Sequence, residues 1–221
     1  MYIAGVDEAG RGPVLGPMVI AGVVISSDTL GVLSENGLTD SKLLSVEKRE
    51  ELYAQIMDTI IDSHIIVIPA EEIDQERAYF TSLNKLELKV VTKILQLLEH
   101  WETAYVDACD VSAERFERNL QVNVPKKVIA QHKADVNFPI VSAASILAKV
   151  TRDRAICSAH DEFGVDFGSG YCHDPKTIRF LNDFYKENQA LPKIARKSWV
   201  TSKRIIYNHQ QSNINDFFNQ E

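Results

Sequence analysis

The sequence predicts an α/β protein whose acidic residues collect at the ends of its strands. Short apolar runs, typical of strands, alternate with longer segments whose apolar residues recur every three or four positions, as on one face of a helix. Two of the predicted strands end on acidic residues. With 221 residues, of which 45% are hydrophobic, the chain is long enough to bury a sizeable core.

The first strand, over residues 2–6, leads into two adjacent acids, Asp7 and Glu8, and then into a glycine-arginine-glycine turn over residues 10–12. Its neighbour, over residues 17–25, is almost entirely apolar, which indicates burial on both faces. Adjacent carboxylates beside such a sheet favour either protonation or a hard divalent cation such as Mg²⁺ or Mn²⁺. The turn offers backbone N–H groups and a guanidinium, which suit a phosphate. A solvated hairpin turn is the alternative interpretation of this stretch.

The next part of the chain supplies scaffold. Residues 26–39 are polar and indicate a loop. That loop runs into the segment 39–42, which by itself is most simply a solvated lead-in to a helix that Ser45 can cap. A short apolar run over 64–69 predicts a third strand, and apolar residues spaced by three and four predict a long helix over 83–98.

A further predicted strand, over residues 104–107, also ends on an acid, Asp107. Carboxylates at the ends of neighbouring strands can converge on one point although the sequence separates them, so Asp107 is a candidate third ligand. We expect Asp110 to be the better cap for the following helix. A last strand over 126–131 precedes Asp135, a candidate fourth ligand that, taken alone, could equally be a solvated loop acid.

A helix rich in small residues follows over 138–153. Its serines and alanines allow close packing of the backbone, which suits a helix laid against the acidic edge of a sheet. A glycine-rich connection over 164–170 then presents Tyr171, an aromatic that by itself is most often a packing residue. Asp174-Pro175 begins another helix with good capping chemistry.

The C-terminal part combines a basic segment with a polar tail. Residues 190–209 contain Trp199 and no Asp or Glu, which predicts a local basic surface suited to phosphates, with a solvated helix face as the alternative. The basic residues there are Lys193, Arg196, Lys197, Lys203 and Arg204. The tail after them is predicted to be disordered except for two adjacent aromatics that have no core to join, which indicates a partner's pocket.

Composition argues against several classes of protein. No apolar run approaches the roughly 18 residues of a membrane span, and the N-terminus has no secretion signal, so we expect a cytoplasmic protein with no membrane partner. Cys109, Cys157 and Cys172 form no C-x-x-C pair, which argues against a zinc site or a disulfide framework. A net charge of −7 argues against a protein that coats nucleic acid through bulk charge.

The stretch Asp7-Glu8-Ala9-Gly10-Arg11-Gly12 resembles the signature of the type 2 ribonucleases H (ribonuclease HII), and the run from His132 to Asp153 is the second most specific match. The resemblance covers nearly the whole chain. It implies a ribonuclease H-like α/β fold, with a mixed central sheet flanked by helices and a helical C-terminal part. We expect a catalytic domain over 1–165, a helical substrate-binding part over 166–209 and a flexible tail over 210–221.

The resemblance implies an endonuclease that cuts the RNA strand of RNA·DNA hybrids, and cuts beside single ribonucleotides in duplex DNA, leaving 3′-hydroxyl and 5′-phosphate ends. It implies a site for two Mg²⁺ or Mn²⁺ ions formed by Asp7, Glu8, Asp107 and Asp135. It implies substrate contacts from Gly10, Arg11, Gly12, Lys42 and Tyr171. Cys172-His173 departs from the small residues expected after that tyrosine.

The tail resembles the motif by which replication and repair proteins bind the sliding clamp (PCNA). The spacing Gln-x-x-Ile-x-x-Phe-Phe comprises Gln211, Ile214, Phe217 and Phe218, and it places the three apolar residues on one side of a short helical turn. The motif indicates an archaeal or eukaryotic replication system, and the short chain favours an archaeal one. No feature argues for an oligomer, so we expect a monomer.

Two other classes of protein fit part of the pattern. Another two-metal nuclease, such as a Holliday-junction resolvase or a DNA exonuclease, would use the same acids and would cut substrates that lack a 2′-hydroxyl. A non-catalytic module tethered to the clamp would need only the basic segment and the tail. Clustered negative charge, where a phosphate must approach, argues against such a module.

Overall fold

The computed structural model describes residues 1–35, 38, 44–80 and 82–218, without the side chains of 32–35, 80 and 212–218. The strands in this part of the chain are β1 (Tyr2–Ala9), β2 (Met18–Ser26), β3 (Asp62–Ile68), β4 (Thr103–Asp107) and β5 (Lys127–Gln131). The helices are α1 (Ser27–Glu35), α2 (Val46–Thr59), α3 (Ala70–Phe80), α4 (Leu83–Leu97), α5 (Ala113–Gln121), α6 (Ala134–Asn137), α7 (Pro139–Phe163), α8 (Pro175–Asn188) and α9 (Val200–Phe218).

The five strands form one mixed sheet in the order β3-β2-β1-β4-β5. The central strand β1 pairs antiparallel with β2 and parallel with β4, and β4 pairs parallel with β5. Residues Met18–Ile25 of β2 are all buried, as its continuous apolar sequence predicts. The predicted α/β class with a mixed central sheet is therefore confirmed.

The chain divides into two compact units. Unit 1 comprises Met1–Ala9, Val19–Val67 and Ser82–Asp153, and unit 2 comprises Gly10–Met18, Ile68–Thr81 and Arg154–Glu221. The core of unit 1 packs residues of β1 and β2 with the first half of α7. The core of unit 2 includes Val14, Leu15, Phe167 and Leu181. The predicted division at residues 165 and 209 stays a prediction.

Helix capping follows the sequence at two of three sites. Ser45 accepts a hydrogen bond from the backbone of Lys48 at 3.2 Å and caps α2, and Asp174 caps α8, which starts at Pro175. The expectation that Asp110 caps the helix after β4 is wrong, because Ser112 is the N-cap of α5. Asp110 instead pairs with a side chain of that helix.

Two other segments differ from expectation. The predicted loop over 26–39 contains α1, whose Leu30 packs on the unit 1 core; Gly31, which lowers helix propensity by about 1 kcal/mol, had indicated a turn. Helix α3 was not predicted, because its buried apolar residues are too few to show a period. Helix α9 continues to Phe218, and the flexible tail expected over 210–221 stays a prediction. Within the described ranges, no helix is long and apolar enough to cross a bilayer.

Candidate active site

Three acidic side chains meet at the ends of β1 and β4. The strands are parallel and Val6 pairs with Val106, so the next residues, Asp7 and Asp107, lie side by side. One carboxylate oxygen from each of Asp7, Glu8 and Asp107 lies within 4.8 Å of the other two. The structure thus brings together three of the four acids that the sequence singles out, and this group is called the acidic cluster below.

Asp7 is the buried member of the acidic cluster. Burial raises the pKa of its carboxyl group to about 7, and the negative charges of Asp107 and Asp135 act in the same direction. Hydrogen bonds from the Ser145 side chain and from the backbone N–H of Glu8, the latter at 2.8 Å, oppose this increase in pKa. The protein alone therefore leaves Asp7 poorly compensated as an anion, which is what a cation would correct.

Asp107 also positions the fourth acid. Its Oδ1 accepts a hydrogen bond from the backbone N–H of Ala134 at 2.8 Å, which joins the end of β4 to the start of α6. The next residue, Asp135, is buried, and its charge contributes to the raised pKa of Asp7. In the described part of the chain, the acidic cluster defined at 4.8 Å does not include Asp135.

Helix α7 packs on β1 at close range. A Cβ atom placed on Gly5 would lie 2.3 Å from the carbonyl oxygen of Ile140, so only glycine permits this approach. The predicted close packing of the small-residue helix is confirmed, since Ser142, Ser145 and the alanines beside them are buried. The second role of Ser145, the hydrogen bond to Asp7, was not predictable from the sequence, because a serine among alanines gives no separate signal.

Asp110 shows how a structural acid differs from the acidic cluster. Its carboxylate accepts hydrogen bonds from Arg115, one of them from Nε at 2.8 Å, and from Asn84 at 3.2 Å. The Arg115 side chain holds the pKa of Asp110 below its ordinary value. Asp110 thus has its cation within the protein, whereas the largest neighbouring charges on Asp7 are other carboxylates.

In unit 2, the loop that carries Tyr171 is joined to the chain segment after the 10–12 turn. The carbonyl oxygen of Gly170 accepts hydrogen bonds from the N–H groups of Val14 and Leu15, at 2.8 and 3.1 Å. A Cβ atom on Gly12 would lie 3.7 Å from Cε1 of Tyr171, so the half-buried tyrosine lies beside the turn. The exposed ring of His173 lies 5.5 Å from that of Tyr171, centroid to centroid.

Asp174 fixes the conformation of the Tyr171 loop. Its Oδ2 accepts hydrogen bonds from the backbone N–H and the hydroxyl of Ser169, at 2.8 and 2.7 Å. Gly168 has a φ of 78°, and a Cβ atom there would lie 2.4 Å from the same Oδ2. The position therefore requires glycine twice, for its backbone angle and for the space.

One basic residue of the 190–209 segment is not a surface residue. Arg196 is completely buried, and its guanidinium donates to the carbonyl oxygens of Gly10, Arg11 and Gly16. Its assignment to a phosphate-binding surface is wrong, because a side chain with all its donors turned inward cannot meet solvent-borne phosphate. Lys193 pairs with Glu162 at 2.6 Å, while Lys197, Lys203 and Arg204 are exposed.

Some predicted site residues cannot be placed. Lys42 lies outside the described residues. Gln211 is exposed near the end of α9, and Ile214, Phe217 and Phe218 belong to that helix, but their side chains lie outside the described part of the chain. The clamp-binding motif therefore stays a sequence-based prediction.

Comparison with known proteins identifies the family. The family model described as ribonuclease HII matches residues 4–202 of this chain. The chain belongs to the ribonuclease HII family. A ribonuclease HII of Methanococcus maripaludis is 48% identical over 218 residues, which cover 96% of this chain and 90% of that protein.

Two solved structures agree with this assignment. The ribonuclease H2 of Pyrococcus horikoshii is 40% identical, with a TM-score of 0.89 over 95% of this chain and 99% of that one. The ribonuclease HII in the PCNA complex from Archaeoglobus fulgidus is also 40% identical, with a TM-score of 0.82 over 90% of this chain and 95% of that one. The expected ribonuclease H-like fold is confirmed. As a ribonuclease HII, the chain is an endonuclease that hydrolyses the RNA strand of RNA·DNA hybrids.

Proposed function

We propose that the acidic cluster, together with Asp135, holds two Mg²⁺ or Mn²⁺ ions during hydrolysis. The donor set fits these ions, because hard divalent cations prefer carboxylate oxygens and three such oxygens lie within 4.8 Å of one another. The convergence of these oxygens carries the proposal. The pKa of Asp7, raised to about 7 by burial and by the negative charges of Asp107 and Asp135, supports it, since a cation offsets the repulsion between these carboxylates. When bound, the ions supply an activated water and neutralise charge on the leaving 3′ oxygen.

The protein's own groups orient these ligands. The N–H of Glu8 and the hydroxyl of Ser145 hold the Asp7 carboxylate, and the N–H of Ala134 holds Asp107. Asp7 and Asp107 are thus fixed by hydrogen bonds before substrate arrives, which lowers the reorganisation needed in the reaction.

We further propose that the enzyme cuts beside single ribonucleotides embedded in duplex DNA and leaves 3′-hydroxyl and 5′-phosphate ends. The 10–12 turn would bind the phosphate and sense the 2′-hydroxyl, the group that distinguishes RNA from DNA at one nucleotide. Tyr171 would pack against the ribose, and Lys42 would contact the nucleic-acid backbone. The position of the Tyr171 ring beside Gly12 supports a joint role of the tyrosine and the turn.

The clamp is the proposed protein partner. The Archaeoglobus fulgidus relative was solved as a complex with PCNA, which supports the same use of Gln211, Ile214, Phe217 and Phe218 here.

We propose that the chain acts as a monomer in the cytoplasm. Its three cysteines, all among the described residues, form no disulfide with one another, in agreement with a reducing compartment.

The proposal is tested by cleavage of three labelled substrates: an RNA·DNA hybrid, a DNA duplex with one ribonucleotide, and an all-DNA duplex. Each is incubated with and without Mg²⁺, using wild type, Asp107→Asn and Asp110→Asn. We expect Mg²⁺-dependent cutting at the hybrid and at the single ribonucleotide, with the all-DNA duplex intact. Asp107→Asn should abolish cutting, whereas Asp110→Asn should lose stability and keep its activity below its melting temperature.

Three results would contradict the proposal. Cutting of all-DNA would indicate a resolvase or an exonuclease. Full activity of Asp107→Asn would remove the acidic cluster from the reaction. Cutting of the hybrid alone would restrict the activity to long RNA tracts and overturn the single-ribonucleotide part.

A further inference from the structure

Two residues of the C-terminal part hold the 10–12 turn from one side. The Arg196 guanidinium donates to the carbonyl oxygens of Gly10 at 2.5 Å, Arg11 at 2.9 Å and Gly16 at 3.1 Å. Trp199 Nε1 donates to the carbonyl oxygen of Gly12 at 3.1 Å. Each of the three peptide carbonyls of the turn therefore has a side-chain donor from the same short segment of chain.

These contacts are built to be rigid. A buried guanidinium is costly unless its donors are satisfied, and here they meet fixed backbone oxygens rather than mobile side chains. The Trp199 ring lies against two guanidinium groups, those of Arg196 at 4.8 Å and Arg77 at 4.7 Å. Asp74 accepts the backbone N–H groups of Lys197 and Ser198, at 2.6 and 3.0 Å, and so anchors the segment that links Arg196 to Trp199.

The orientation of the carbonyls determines that of the amides. None of the described peptide bonds is cis, and in a trans peptide the C=O and the following N–H point in opposite directions. With the carbonyls of Gly10 and Arg11 directed at Arg196, the N–H groups of Arg11 and Gly12 face the opposite side of the turn. The Gly12 carbonyl precedes Pro13, whose nitrogen carries no hydrogen, so Trp199 completes the turn without directing a third amide.

We infer that Arg196 and Trp199 are positioning residues for the substrate phosphate: Arg196 sets the two peptide planes that carry the amides of Arg11 and Gly12, and Trp199 holds the Gly12 carbonyl at the end of the turn, so that these amides face the phosphate before it binds. The inference rests on the proposed phosphate-binding role of the turn. In this role neither side chain needs to touch the substrate. Their effect is preorganisation, which strengthens binding because the donors need not be reoriented.

The chain offers a matched pair of variants to test this, because it has two tryptophans. Trp199 and Trp101 each donate Nε1 to a backbone carbonyl at 3.1 Å, and each lies under a cation, which is Lys126 for Trp101 at 4.6 Å. Trp199→Phe and Trp101→Phe therefore remove the same hydrogen bond and leave an aromatic ring in each place. Thermal unfolding of both variants controls for their general effect on stability.

We expect Trp199→Phe to raise KM for an RNA·DNA hybrid about five-fold while kcat changes less than about two-fold. The reason is that the contact between the turn amides and the substrate phosphate is weakened equally in the ground state and in the transition state. Trp101→Phe should leave both constants unchanged at temperatures where it is folded. Should Trp199→Phe fail to fold, Arg77→Met removes one of the two cation–indole contacts at a half-exposed position and should raise KM about two-fold.

A second measurement separates phosphate positioning from a merely structural effect. Substrates in which one phosphate near the cleavage position is replaced by a methylphosphonate are scanned for binding. Wild type should lose affinity at one phosphate, and Trp199→Phe should lose less there, since the Gly12 carbonyl has lost its donor and the turn holds its amides less firmly against that group. If wild type has such a phosphate and Trp199→Phe keeps its full sensitivity, our inference is overturned.

The same methylphosphonate scan can also contradict the proposed function itself. A wild type that cuts hybrids normally and is insensitive to every methylphosphonate would show that the turn binds no phosphate. In that case the proposed role of the turn is wrong, and the inference about Arg196 and Trp199 falls with it. A KM for Trp199→Phe that equals that of Trp101→Phe contradicts the inference alone.

Discussion

Ser145 of α7 hydrogen-bonds the Asp7 carboxylate of β1, and its hydroxyl oxygen accepts a hydrogen bond from Lys149 at 3.0 Å. A hydroxyl has one proton, so accepting from the lysine directs that proton to the carboxylate. The contact opposes the increase in the pKa of Asp7 and favours the anionic form that a cation requires.

Ser145→Ala should therefore weaken cation binding. Loss of a hydrogen bond to a charged group costs about 1.5–3 kcal/mol, so we expect Mn²⁺ affinity, measured by calorimetry without substrate, to fall at least about ten-fold. Ser142→Ala is the matched control, because this serine is buried on the same helix and its hydroxyl has no hydrogen-bond partner among the described residues. Equal affinities for the two variants would show that Ser145 only fills space.

The contribution of Asp7 to the stability of the metal-free protein should fall as pH rises. The pKa of Asp7 is about 7 in the folded chain, against an ordinary value of 3.8, so between these values the folded state binds more protons than the unfolded state. Stability from this group is full below about pH 4 and is lost as pH passes about 7, by as much as roughly 4 kcal/mol.

Urea unfolding between about pH 4 and 8, with chelator present, measures this effect as the difference between wild type and Asp7→Asn. The difference should grow with pH, with Asp7→Asn the more stable at the upper end. Mn²⁺ should remove the disadvantage of wild type. Parallel pH profiles of the two proteins would contradict the assigned pKa of Asp7.

Gly168→Ala should destabilise unit 2. The added Cβ would lie 2.4 Å from the Asp174 carboxylate, and the alanine backbone would have to adopt a φ of 78°. We therefore expect a loss of about 2–4 kcal/mol in the free energy of unfolding. Gly164→Ala is the control, since its φ is 66° and nothing lies within 4 Å of its Cβ position. The excess loss in Gly168→Ala isolates the contact with Asp174, and equal losses would mean that backbone strain alone is responsible.

Replacement of Phe217 and Phe218 by alanine should abolish clamp binding. Buried aromatic anchors dominate the affinity of such contacts, so we expect at least about a hundred-fold loss, measured by surface plasmon resonance with PCNA. Cleavage of a short hybrid in the absence of the clamp should be unchanged, which serves as the control for folding. Clamp binding that survives both substitutions would place the contact elsewhere on the protein.

The acids at the strand ends were predictable, because a short apolar run in the sequence marks a strand and neighbouring parallel strands end at the same edge of the sheet. Asp7, Glu8 and Asp107 follow apolar runs, and side-by-side parallel strands bring such positions together whatever lies between them. The family resemblance supplied the named fold and Asp135, which spacing alone leaves as an ordinary loop acid.

The contacts that orient the site were not predictable in the same way. Ser145 and Arg196 act through hydrogen bonds to residues more than a hundred positions away, and nothing in their sequence neighbourhoods marks the partner. Arg196 lies among lysines that are exposed, so composition assigned it to the surface with them. Helix α3 was missed for a different reason, since its few buried side chains leave no period to detect.

Gly5 has no side chain, yet it sets how far α7 stands from β1. That helix carries Ser145, and the strand carries Asp7, so any larger residue at position 5 pushes the donor and the carboxylate apart. If every residue were substituted in turn and cleavage activity measured, substitutions of Gly5 should therefore reduce activity as strongly as substitutions of a metal ligand such as Asp7. The absence of a Cβ atom at position 5 thus sets the distance between α7 and β1, and with it the hydrogen bond that Asp7 makes two residues further along the strand.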